Sequence, residues 1–175
     1  VAIVVGLDGS EQSAAALRWS VKECRLRGSP LVAVHVWQSP YLLGLRDPAL
    51  GWPYFDPAVI DRDHLEELAR DQLTRAVAPA RGSGVELQEL LVEGNPAEAL
   101  IELSAGAEML VLGSRGHTAL SGLLLGSVSH ACATHATCPV VVIRGASDPV
   151  ATSGQAGAEA LDAAASGPAS AAAGG

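Results

Sequence analysis

Met109-Leu110-Val111-Leu112-Gly113-Ser114-Arg115-Gly116, then nine residues, then Gly126-Ser127-Val128-Ser129, is the stretch on which the fold turns. Four apolar residues closed by a glycine read as a short buried strand. Val128 to Ala136 reads as a helix. A strand, a glycine-bearing loop and a helix in that order place the loop at the carboxyl end of a strand. In an open parallel sheet, ligands bind there, near the point where strand order reverses. Glycines let the backbone approach a ligand closely and adopt positive φ. The N–H groups and dipole of a helix start favour an anion. Ser127 is placed both to cap the helix and to donate its hydroxyl to a phosphate oxygen.

Working outward, the same alternation recurs. Ala2 to Val5 is an apolar, β-branched run ending in Gly6-Leu7-Asp8-Gly9-Ser10. Ala14, Leu17, Val21 and Cys24 then recur at helical spacing up to Gly28-Ser29-Pro30. Leu31 to Val36 is a second strand. Leu65, Leu68, Ala69, Leu73, Ala76 and Val77 mark a second helix, ending near Gly82. Val85 to Val92 begins by alternating, as a strand at a sheet edge does. Gly94-Asn95-Pro96-Ala97-Glu98 is a helix start, with Asn95 as cap, Pro96 at the first position and Glu98 completing a capping-box-like pattern. That helix should reach about Ala105. Val140 to Ile143 is a fifth strand. Five strands alternating with four helices predict a doubly wound α/β domain with an open five-stranded parallel sheet over residues 1–144.

Two segments stand apart. Gln38 to Asp56 is loop-like, with three prolines, two glycines and four of the chain's six aromatic residues. It is either a lid or a flap packed on the domain. In the last 25 residues, 19 are Ala, Gly or Ser, so residues 145–175 are expected to be a tail without a core of its own.

Composition narrows the function. The chain is 49% hydrophobic and only 3% aromatic, so an aliphatic core is expected. The net charge of -8 argues against nucleic-acid or anionic-membrane binding, which rests on Lys and Arg neutralising phosphates. No apolar run is long enough to span a bilayer, and three cysteines without a pairing pattern fit a reducing cytoplasm. Lys22 is the sole lysine, and no Gly-Lys-Ser/Thr loop occurs. The dinucleotide glycine triplet is missing from the first strand-to-helix turn, and so is a Gly-x-Ser-x-Gly nucleophile elbow. His130, Cys132, His135 and Cys138 do not share one helix face, so Cys132 and Cys138 read as small buried hydrophobes rather than zinc ligands. His35 reads as a core or pocket-lining residue and His117 as an exposed loop residue.

Gly-x2-Gly-x9-Gly-Ser resembles the phosphate loop of ATP-binding universal stress proteins. The likeness includes Gly6-Leu7-Asp8-Gly9-Ser10, His35-Val36, Gly94-Asn95-Pro96-Ala97 and Cys138-Pro139-Val140-Val141-Val142. It spans about residues 2 to 144. The resemblance implies a Rossmann-like sheet of strand order 3-2-1-4-5 and a site for ATP with Mg²⁺. It implies that the Val36 backbone meets the adenine edge and that Leu7 lines the base or sugar pocket. Asp8 would lie near ribose or phosphates, directly or through a metal ion. An Asx-turn before the first helix is the alternative reading of Asp8. Gly113, Ser114, Gly116, Gly126, Ser127 and Ser129 would surround ribose and triphosphate, with Val128 supplying backbone. The family also implies a homodimer paired through Val140–Ile143.

Phosphoryl-transfer catalysts position Lys, Arg and metal ions around the transferred group. This chain offers Arg115, Asp8 and little else, and no catalytic residue is assigned. The expected function is a nucleotide-dependent regulatory switch acting on an unknown protein partner. Slow ATP hydrolysis or phosphotransfer is the alternative, and a nucleotide-independent interaction module is another.

Overall fold

Each apolar run is short, and each is followed by a segment that carries the chain back to the same end of the sheet. That arrangement permits only parallel pairing. The computed structural model describes residues 1–38, 61–116 and 125–144. The elements are β1 (Ile3–Leu7), α1 (Glu11–Arg27), β2 (Leu31–Trp37), α2 (Arg62–Val77), a 3₁₀ turn (Ala78–Ala80), β3 (Leu87–Glu93), α3 (Pro96–Leu103), β4 (Met109–Gly113), α4 (Ser127–His135) and β5 (Val140–Ile143). All pairings are parallel, and the strand order is β3-β2-β1-β4-β5, as expected.

β1 runs two residues further than its apolar run suggested. Gly6 pairs with Val34 and Leu7 with His35, so neither belongs to the turn. A Cβ on Gly6 would lie 2.7 Å from Leu112 Cδ2 and 3.1 Å from Leu100 Cδ1. Glycine is there for close packing inside a strand.

The helix boundaries follow from their caps. Ser10 Oγ accepts from Ser13 N at 3.1 Å and starts α1, which ends on Gly28 in the left-handed region. Asn95 Oδ1 accepts from the N–H groups of Ala97 and Glu98 and starts α3, which stops at Leu103, short of Ala105. The sheet has a core on each face because side chains alternate. Ile3, Val5 and Leu7 pack with Leu17, Val21, Leu73 and Val77 of α1 and α2. Val4, Val34 and Leu112 pack with Leu100 of α3 and Cys132 of α4.

β3 and β5 are the sheet edges. β3 carries Glu89 and Glu93, which pair with Arg81 and Arg62. β5 is Val-Val-Val-Ile, half-buried along its length and without a charge. No described helix is long and apolar enough to cross a membrane. The segments 39–56 and 145–175, with His117, lie outside the described residues.

Candidate functional site

A cleft of about 610 Å³ opens at the carboxyl ends of β1, β2 and β4. That is ample for a small organic ligand. It lies where the strand order reverses, since β1 has β2 on one side and β4 on the other.

The loop glycines fit the cleft through space rather than through backbone angle. Among the described residues positive φ occurs at six glycines, Gly9, Gly28 and Gly94 included, but not at Gly113, Gly116 or Gly126. At these three glycines the expected positive φ is not found. A Cβ on Gly113 would meet Gln12 and Ser13 backbone atoms at 2.8 and 3.0 Å. One on Gly116 would run into Asp8 Oδ2, while Gly126 has neighbours only at 3.5 Å and beyond. Gly113 thus seats β4 against α1, and Gly116 lets the loop close on Asp8.

Ser127 does not cap α4, as the sequence had suggested. The N-cap is Gly126, in extended conformation, and no side chain caps this helix among the described residues. α1, α2 and α3 are capped by Ser10, Asp61 and Asn95. Ser127, Val128 and Ser129 begin α4 and line the cleft. Their N–H groups precede the first intrahelical acceptor, so α4 presents donors and the positive end of its dipole to the cleft.

Two serines of the expected set make structural contacts. Ser129 Oγ donates to Gly113 O at 2.7 Å, tying α4 to β4. Ser114 is fully buried and is not among the cleft-lining residues. Its N–H donates to Ile143 O and its carbonyl accepts from Gly126 N, both at 2.8 Å. Ser114 is the strap that brings the far end of the loop back to the end of β5. The other nine expected residues (Leu7, Asp8, Val36, Gly113, Gly116, Gly126, Ser127, Val128 and Ser129) all line the cleft.

Asp8 does form an Asx-turn. Its Oδ1 accepts from Ser10 N at 3.0 Å and Ser10 Oγ at 2.6 Å. This holds the carboxylate at the mouth of the loop with Oδ2 toward Gly116. Val36 is placed by alternation. Leu31 N donates to Glu86 O and Trp37 O accepts from Gly94 N, so the odd residues of β2 face β3. Pro30 O accepts from Ile3 N, so the even ones face β1. β1 ends at Leu7, opposite His35, and the Val36 carbonyl is directed past that end.

The profile of the Universal stress protein family matches residues 2–144. The chain belongs to the universal stress protein family. A universal stress protein of Mycobacterium tuberculosis is 35% identical over 150 residues, covering 84% of this chain and 45% of that protein. The chain spans about half the length of the curated relatives it matches first. Among solved structures, the protein MJ0577 superposes with a TM-score of 0.67 at 22% identity, covering 83% of this chain and 96% of that one. That likeness concerns the fold. A universal stress protein of Archaeoglobus fulgidus, solved in complex with dAMP, has a TM-score of 0.57 at 27% identity and covers 82% of this chain and 97% of its own.

Several cleft residues were missing from the sequence-derived set. Pro96 and Leu100 come from α3 and Gln72 from α2, while Arg115, noted in the sequence only as a charge near a transferred group, lines the cleft from the loop. Gln72 Nε2 donates to Asp8 O at 3.3 Å, linking α2 to the turn after β1. Nothing local signals Gln72, because only the sheet order brings α2 beside β1. Burial pushes the Cys24 and Cys132 thiols up to about 11, so both are core hydrophobes rather than nucleophiles. Cys138, half-buried, packs against the same core as Cys132. Among the described residues no group of three or more His, Cys, Asp or Glu is placed to hold a metal ion.

Proposed function

We propose that the protein binds an adenine nucleotide, ATP accompanied by Mg²⁺, and uses it as a regulatory signal. The carrying observation is the start of α4, without a side-chain cap, opening on the cleft beside Gly116 and Gly126. Such a start takes a phosphate group through backbone N–H groups and the helix dipole, and needs no lysine. The Val36 carbonyl lies at the other side of the cleft and accepts from the base. The dAMP complex of the Archaeoglobus fulgidus relative supports an adenine nucleotide as the ligand class.

Mg²⁺ fits as a companion of the phosphates rather than as a resident ion. Asp8 supplies one carboxylate near Gly116, and Mg²⁺ in such sites is held by one or two carboxylates plus phosphate oxygens. Ser10 orients that carboxylate, and Gln72 fixes its backbone. The bound metal would supply charge neutralisation between phosphates and Asp8.

The cleft favours binding over turnover. Arg115 and Asp8 are the charged side chains lining it among the described residues, and rapid phosphoryl transfer requires more positioned charge than that. Nucleotide contact at Gly116 and Gly126 would bias a surface read by a protein partner. The β5 edge, uncharged and apolar, pairs with a second copy to form a homodimer in the cytoplasm. Titration of the chain with ATP, with and without Mg²⁺, tests the reading. Saturable binding that weakens in Gly116→Ala supports it, and absence of binding by the wild type refutes it.

A further inference from the structure

We propose that His35 reads the exocyclic amino group of the bound base, an inference that rests on the nucleotide reading above. His35 Nδ1 lies 2.8 Å from Leu7 O. A carbonyl only accepts, so Nδ1 carries a proton and donates. In the neutral ring the second nitrogen, Nε2, is then an acceptor. The side chain is buried, with 7% exposure, yet it lines the cleft. Among the described residues no hydrogen bond occupies Nε2, and His35 itself lines the cleft. A donor group on a bound ligand would take the place of water at this acceptor.

The group that satisfies Nε2 must be a donor. Val36, the next residue, also directs its carbonyl past the end of β1. The two acceptors sit at one strand end, and an amino group offers two N–H donors. Adenine carries such a group on its pairing edge. Hypoxanthine has a carbonyl oxygen in the same place, so an inosine nucleotide would set acceptor against acceptor. A site built to bond a donor rejects the analogue that lacks it, because its own polar groups are left unpaired.

The test compares ATP with ITP by calorimetric titration of the full chain, in the wild type and in His35→Asn. The Asn amide nitrogen can take the place of Nδ1 toward Leu7 O, while the acceptor at the Nε2 position is lost. The wild type is expected to prefer ATP by about tenfold or more, the worth of one to two net hydrogen bonds. His35→Asn is expected to reduce that preference by about fivefold, chiefly through weaker ATP binding. His35→Gln, whose carbonyl reaches the Nε2 position, should restore part of it. Equal affinity of the wild type for ATP and ITP overturns the inference and leaves the nucleotide reading standing. An unchanged ATP-to-ITP ratio in folded His35→Asn does the same. A wild type that binds neither nucleotide overturns both. If His35→Asn does not fold, the wild-type comparison and His35→Gln still decide.

Discussion

Replacing Gly113 by alanine should destabilise the whole domain, and the structure sets the scale. The added Cβ would lie 2.8 Å from Gln12 C, 2.9 Å from Gln12 Cβ and 3.0 Å from Ser13 N. Two of these are backbone atoms in the first turn of α1, so no rotamer change relieves them. α1 is fixed by Ser10 at its start and by Leu17 and Val21 in the core. β4 has pairing strands on both sides. Overpacking of this kind costs about 1–3 kcal/mol. For a domain of this size about 1 kcal/mol lowers Tm by roughly 3 °C, so the melting point should fall by roughly 3–9 °C. Gly126→Ala is the control, because its neighbours begin at 3.5 Å and its φ of -71° suits alanine. Only the helix cap is affected there, at about 1 kcal/mol or less. Thermal unfolding followed by circular dichroism measures both. If Gly113→Ala melts within about a degree of the wild type, or above Gly126→Ala, close packing is not the reason for that glycine.

Other outcomes follow from the same coordinates. Asp8→Asn keeps acceptors for Ser10 but removes the charge, so ATP binding should lose most of its Mg²⁺ dependence, as titrations with and without the metal would show. In β5 the odd residues face β4, since Pro139 O accepts from Leu110 N and Ile143 O from Ser114 N. Val142 therefore faces outward, and Val142→Pro should leave the sheet intact while abolishing the proposed homodimer, as size exclusion would show. The Cys24 and Cys132 thiols are raised from 9.0 to about 11 by burial, so near pH 8 a thiol reagent should label Cys138 first. Because the folded values lie above the unfolded ones, the stability tied to these thiols is fully present below about 9. It is lost as pH rises toward about 11, which denaturant titrations across that range would register.

The sheet was legible because each strand is a compact apolar run with a turn signal behind it. Gly6 misled the reading of β1, since a glycine before Leu7-Asp8-Gly9 looks like the start of a turn. Its reason is contact with Leu100 and Leu112, which are distant in sequence. The glycine loop was legible as a loop, but not its mechanics. Ser127 looked like a cap because serine caps helices well, yet Gly126 takes that position. The family resemblance placed Ser114 and Ser129 around the ribose and triphosphate. Ser129 donates to Gly113 O, and Ser114 belongs to the backbone strap between Ile143 and Gly126. Asp8 forms the Asx-turn with one oxygen and lines the cleft, its other oxygen lying toward Gly116. Gln72 and the acceptor face of His35 needed the fold, because strand order and tautomer are not written in local spacing.

Calorimetric titration of the wild-type chain with Mg²⁺-ATP, repeated with Gly116→Ala, tests the central claim most directly. Gly116→Ala places a methyl where Asp8 Oδ2 now sits, at the closing point of the loop. The account predicts one saturable site in the wild type and at least about tenfold weaker binding in the variant, with melting temperature little changed. A wild type without saturable binding, or a variant that binds Mg²⁺-ATP as well as the wild type, would contradict it.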